Sequence, residues 1–184
     1  MPTTAELATM RSRKGAAQSA IKFFTGVRQV KSANNPFDML SDAQINNFYA
    51  HRNDAPNTIV DSFNATATSG MGNCDEKGRI CYAALIGNPM LNGSHVTLCE
   101  AVNYDHVFVI VADAAVAAPL ALDTLGVTAM VVDGWTQDWY FPNLGWGAAK
   151  WNSLGNTPNP RQLYVRMNIA SHNLTNYGHV PLTS

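Results

Sequence analysis

Charge is scarce in this chain of 184 residues. Asp, Glu, Lys and Arg together make up 14%, and 12 bases against 13 acids leave a formal charge of −1. So even a balance gives no electrostatic reason to expect a nucleic acid or a strongly acidic partner. Long apolar runs are also missing. The most apolar stretch, "VFVIVADAAVAAPLAL", is interrupted by Asp113 and Pro119 and falls short of the roughly 18 residues that a membrane span needs. No membrane span is expected. Cysteine occurs three times, as Cys74, Cys81 and Cys99, an odd number that does not make a disulfide framework and leaves at least one thiol free unless chains pair. No close C-x-x-C or H-x-x-x-H pair anchors a metal site, so the expectation is no metal and no cofactor. The N-terminus lacks the apolar core of a signal peptide, and the Arg-rich "MRSRKGAAQSAIKFF" reads better as a solvated helix or leader than as a transit peptide.

What is present is enough apolar material, 46% of residues, for one domain spanning 1–184 with a proper core. Six bases (Arg11, Arg13, Lys14, Lys22, Arg28, Lys31) face only Glu6 in the first 35 positions, while the other 12 acids face six bases in the rest. The opening segment therefore reads as a basic arm on an acidic body. Ala17, Ala20, Ile21, Phe24 and Val27 recur at helical spacing, with Gly26 as a stop, and Ser41 with Gln44 forms a capping box for a second helix. Residues 1–60 are thus a helical front, followed by a small, polar loop over 60–73. From Asp75 to Leu85 the pattern is helical, and Cys74, Gly78, Cys81 and Leu85 share a stripe of small residues suited to close packing on a sheet. "HVTLCEAV", "HVFVIVA", "VTAMVVDGW", "QDWYFP" and "RQLYVRMNIA" read as strands, the second central and buried and the fourth an edge strand halted by Pro142. The tail, 172–184, reads as loose.

Three polar residues stand out by position. Cys74 opens a helix, where unpaired N–H groups and the helix dipole favour thiolate, although Asp75 and Glu76 oppose it. A cationic histidine would therefore be needed to activate it, and His106 alone among the five histidines opens a strongly apolar strand. Asp133 ends another such strand, where an unpaired carboxylate would be expensive. A histidine N–H is its natural partner, and that bond would fix the tautomer presenting the other ring nitrogen to Cys74. Cys81 and Cys99 read as packing residues. The four tryptophans, all between Trp135 and Trp151, read as a lid of core aromatics or as a wall of the cleft.

Taken in order, "GNCDEKGRICYAAL…YDHVFVIV…MVVDGW" resembles the core of transglutaminase-like and papain-like thiol enzymes, over roughly residues 70–140. The resemblance implies an α+β fold with a nucleophile helix packed on an antiparallel sheet. It also implies Cys74 as nucleophile, His106 as general base and acid, Asp133 as orienting acid, and Glu76 as the family's acidic residue two past the cysteine. Thr68 stands where papain-type enzymes place an oxyanion glutamine, which leaves the Cys74 N–H as one oxyanion donor and Asn73 or Asn64 as candidates for the second. The function implied is a cysteine hydrolase or acyl transferase acting on amide bonds of a protein substrate, as a thiol protease, a glutamine deamidase or a transglutaminase-like enzyme. Trp135 is a candidate substrate wall. The compact size, the unmatched front and the absence of an inhibitory pro-segment point by analogy to a bacterial effector or toxin domain delivered into a target-cell cytosol, for which a cognate immunity or inhibitor protein is a candidate partner, or else to a cytoplasmic enzyme. A non-catalytic protein-binding module on the same fold is the alternative.

Overall fold

The computed structural model describes residues 1–27, 29–54, 59–101, 106–117, 122–153 and 163–170. The chain is an α+β protein built on an antiparallel sheet. Its strands are β1 (His95–Ala101), β2 (His106–Ala112), β3 (Met130–Asp133), β4 (Asp138–Tyr140) and β5 (Leu163–Ala170), in the order β4-β3-β2-β1-β5. All neighbours are antiparallel, with Ala101 opposite His106 in the β1–β2 pair and Val109 opposite Val132 in the β2–β3 pair. β2 is buried along its whole length, as its β-branched composition predicts for a strand covered on both faces. The short β4 lies at the sheet edge, where a nearby proline removes no ladder bond.

Among the described residues, five α-helices accompany the sheet: α1 (Thr4–Lys22), α2 (Asp42–Asp54), α3 (Ile59–Ser69), α4 (Cys74–Ile86) and α5 (Trp146–Ser153). One core lies between the helices and the sheet, joining Ala16, Ala20, Ile80, Cys81 and Leu85 to Leu98, Val107, Val109 and Val132. A second, on the other face, gathers Cys99, Phe108, Ile110, Val131, Tyr140 and Trp151. The small-residue stripe of α4 does pack closely. A Cβ at Gly78 would stand 2.8 Å from Val107 Cγ1, and one at Gly134 would stand 2.8 Å from the Lys77 carbonyl oxygen.

Several expectations need correcting. Most of 60–73 is not a loop, because α3 occupies Ile59–Ser69, burying Ile59, Ser62 and Thr66 at helical spacing, and only 70–73 form the turn that leads to Cys74. Two of the three buried positions on that face are small hydroxyl residues, which suit turns and caps as much as helices. Gly26 does not stop the first helix, whose end widens into a π-turn over Phe23–Val27. The basic arm is not wholly solvated. Arg13 is buried, donating to the Thr128 carbonyl at 2.7 Å and to Ser94 Oγ at 3.1 Å and pairing with Asp113, which ties α1 to the end of the sheet opposite to His106 and Asp133. The capping box at Ser41 and Gln44 forms as expected. The tail at 172–184 lies outside the described residues. Among the described residues, no helix is long and apolar enough to cross a membrane.

Candidate active site

Cys74 is the first residue of α4, half-buried and not in a disulfide. The turn before it is held by a short strap, residues 31–38. Lys31 N–H donates to the Gly70 carbonyl at 3.0 Å, Gly72 N–H donates back to the Lys31 carbonyl at 2.8 Å, and Ala33 N–H donates to Asn73 Oδ1 at 3.0 Å. Gly70 takes φ +70°, a left-handed conformation that a glycine adopts without a Cβ penalty. Asn73 is the N-cap, and its N–H donates to Glu76 Oε2 at 2.9 Å, so the acidic residue two past the cysteine closes the first turn of the helix.

The carboxylates beside Cys74 are buried and paired. Glu76 Oε1 lies 2.9 Å from Arg52 Nε, and Asp75 Oδ1 lies 3.1 Å from Arg79 Nε. Lys77, one turn on, is also buried. Its Nζ donates to Ser32 Oγ at 2.8 Å, and Ser32 Oγ donates to the Gly72 carbonyl at 3.1 Å. Burial holds the Lys77 ammonium below its ordinary pKa, against the attraction of Asp38 and Asp133.

His106 opens β2, and its Nε2 stands 2.7 Å from Asp133 Oδ2. A hydrogen bond links the His106 side chain to the Cys74 thiol. With Nε2 committed to Asp133, Nδ1 is the ring nitrogen left to bond the sulfur. Burial pushes the imidazole's pKa down, but the bonds to Asp133 and Cys74 and the charge of Asp133 overcome it and raise the pKa to about 9. Burial raises the Asp133 carboxyl, yet the bond and charge of His106 and the Thr136 bonds hold it below the usual carboxylate range. Asp133 is fixed by its own turn as well, with Oδ1 accepting from Trp135 N–H at 2.9 Å and Thr136 N–H at 3.2 Å. One carboxylate thus both folds the β3–β4 turn and orients the histidine.

Trp135 presents its ring edge-on to His106, with centroids 5.7 Å apart, and its Nε1–H donates to Asn34 Oδ1 at 3.0 Å. An indole N–H only donates, so that bond takes the oxygen end of the Asn34 amide and leaves its NH2 end free of the tryptophan. The strap therefore touches the site at the residue before Cys74 and again two residues after Asp133.

Of the residues singled out in the sequence, Cys74, His106 and Asp133 form one hydrogen-bonded chain, and Asn73, Glu76 and Trp135 adjoin it. Asn64 does not join the cluster and stands exposed midway along α3. Cys81 and Cys99 are buried, and burial pushes both thiols well above their ordinary pKa, which suits packing rather than chemistry. Among the described residues, no group of three or more His, Cys, Asp or Glu side chains is arranged to hold a metal ion. Sequence reasoning missed Asn34, Arg52 and Lys77. The first two lie upstream in segments with no chemical motif, and nothing in the pattern around Lys77 marks it as turning inward. Comparison with protein-family models, with characterised proteins and with solved structures returned no match.

Proposed function

We propose that this protein is a cysteine-dependent hydrolase or acyl transferase acting on amide bonds of a protein substrate. The observation that carries the reading is the continuous chain from the Cys74 thiol through the His106 imidazole to the buried Asp133 carboxylate, at the N-terminus of a helix. Cysteine, histidine and aspartate so linked are the parts that nucleophilic amide chemistry needs.

In this reading His106 Nδ1 takes the thiol proton, giving a thiolate beside an imidazolium that Asp133 stabilises. The thiolate sulfur attacks the amide carbonyl, and the oxygen takes up the negative charge facing the Cys74 N–H. As the intermediate collapses the C–N bond breaks, and Nδ1–H protonates the departing amine. A thioester remains. Water, deprotonated by Nδ1, adds to the thioester carbonyl, the C–S bond breaks with release of the acid, and Nδ1–H returns the proton to the leaving thiolate, or a second amine takes the acyl group instead. Proteolysis, glutamine deamidation and transamidation share these steps and differ in the amide presented and the group that resolves the thioester. The setting that the resemblance implies, a domain delivered into another cell, belongs to the same proposal and makes that cell's cytosolic proteins the substrates to try.

The test is iodoacetamide labelling of the native protein at neutral pH with site mapping, followed by intact-mass analysis of candidate substrates. Fast modification confined to Cys74, and a substrate mass change lost in Cys74→Ala, are expected. Deamidation adds about one dalton per site, and proteolysis leaves fragments. If Cys74 labels no faster than an unactivated thiol, the nucleophile reading fails and the binding-module alternative takes its place.

A further inference from the structure

The two carboxylates in the first turn after Cys74 pose an electrostatic problem. Asp75 and Glu76 are only 8% and 4% exposed, and negative charge so near a thiol opposes its ionisation. A cation from a different helix answers it. Arg52, on α2, places Nε 2.9 Å from Glu76 Oε1 and Nη2 4.0 Å from Asp75 Oδ2. Arg79 pairs with the other Asp75 oxygen, whereas Arg52 is the one cation paired with Glu76 among the described residues. The remaining Glu76 oxygen accepts the Asn73 N–H, at the residue directly before the cysteine.

We propose that Arg52 is a positioning residue for the thiol chemistry, its guanidinium offsetting the acids beside Cys74 and holding Glu76 on the Asn73 N–H so that the thiolate forms at lower pH. The proposal rests on Cys74 being the nucleophile. An arginine suits the task because it stays charged at every working pH and its planar fork reaches two carboxylates at once. Among the described residues, the other charged groups on α4 and on the strands of the histidine–aspartate pair are His106 on β2, Asp133 on β3, and Asp75, Glu76, Arg79 and the inward-turned Lys77 on α4. Arg52 belongs to α2, so changing it replaces no residue of α4 or of the histidine–aspartate pair.

The test is the pH dependence of Cys74 alkylation by iodoacetamide, followed by peptide mass on the full chain. It compares wild type with Arg52→Gln, Arg52→Lys and the double variant Arg52→Gln/Glu76→Gln, and melting is recorded for each. Arg52→Gln is expected to move the lower midpoint upward by about half a unit to one unit, which slows labelling roughly three- to tenfold below it. Arg52→Lys should restore most of the shift, and so should the double variant, which removes the unpaired acid together with its cation. An unmoved midpoint in Arg52→Gln, with only the melting temperature lowered, overturns the proposal and makes Arg52 a structural tie. A wild-type Cys74 no more reactive than a free cysteine overturns instead the nucleophile reading beneath it.

Discussion

Replacing Asp133 by asparagine is the sharpest perturbation the site allows, because the shape of the side chain survives and the charge does not. Asp133 Oδ1 accepts two backbone N–H groups, from Trp135 and Thr136, and an asparagine must keep its carbonyl oxygen there or set donors against donors. The NH2 end then points at His106 Nε2 and forces that nitrogen to be an unprotonated acceptor. Neutral His106 would carry its proton on Nδ1, facing the thiol, and could not take the thiol's proton. Catalysis at pH 7 should fall by about 10²–10⁴-fold.

The same substitution changes how stability depends on pH. His106 has a folded-state pKa of about 9 against 6.5 unperturbed. A raised value means that its contribution is complete below pH 6.5 and is lost as pH climbs through 9. Asp133 is depressed below its ordinary 3.8, so its contribution is present above that value and lost as pH falls through the folded one. The pair therefore stabilises most between about pH 4 and 6.5, and the histidine's share is about 3 kcal/mol. Urea unfolding of wild type and Asp133→Asn at pH 6 and pH 10 should show a stability gap that shrinks by up to about that amount at the higher pH, the part of the shift that Cys74 supplies staying in the variant. The His106 ring resonance should titrate near 9 in wild type and well below in the variant, where burial is no longer opposed by a carboxylate. A gap that stays constant from pH 6 to 10, a variant histidine still titrating near 9, or activity within tenfold of wild type would each refute the reasoning.

Three further outcomes follow from the geometry. Cys74→Ala should abolish activity and leave the melting temperature nearly unchanged, whereas Cys81→Ala, emptying space beside the Asp133–Gly134 turn, should cost about 1–2 kcal/mol by denaturant unfolding. Gly134→Ala should be worse than either, about 2–4 kcal/mol, because the new Cβ meets the α4 backbone at Lys77 and the helix or the turn must move; loss of activity should accompany it as Asp133 shifts. Arg13→Met should lower stability by about 2–3 kcal/mol, since it removes charge-assisted bonds to Thr128, Ser94 and Asp113. Activity per folded molecule should be kept, because those bonds lie away from the thiol.

The parts of the fold that were legible in the sequence are those whose burial demands large apolar side chains. β2 declares itself through "HVFVIVA", and the capping boxes mark helix starts because few residue types can satisfy a free N–H from a side chain. α3 could not be read in the same way, since its buried face uses Ser62 and Thr66, residues that favour turns and caps as much as helices. α5 was hidden by aromatics. Within "GWTQDWYFPNLGWGAAKW", Trp135 and Trp139 are half-buried, Trp146 is exposed and Trp151 lies at the centre of the second core, so what reads as one cluster performs three different tasks.

The triad and its surroundings differ in legibility for a physical reason. Cys74, His106 and Asp133 each sit at the boundary of a regular element, and a polar residue at such a boundary conflicts with the apolar pattern beside it. That conflict is visible without knowing what lies nearby in space. Arg52, Asn34 and Lys77 conflict with nothing local, and only the fold gives them roles: Arg52 by crossing from α2 to Glu76, Asn34 by meeting an indole 101 positions later, and Lys77 by turning inward to Ser32 rather than out to solvent. Asp75 and Glu76 show how a rule sound in one dimension is redirected in three. Read along the chain they are two charges that raise the cost of a thiolate, but in the fold they are a buried cap and a buried ion pair. Whether their charge reaches the sulfur then depends on a guanidinium that no pattern around the cysteine contains.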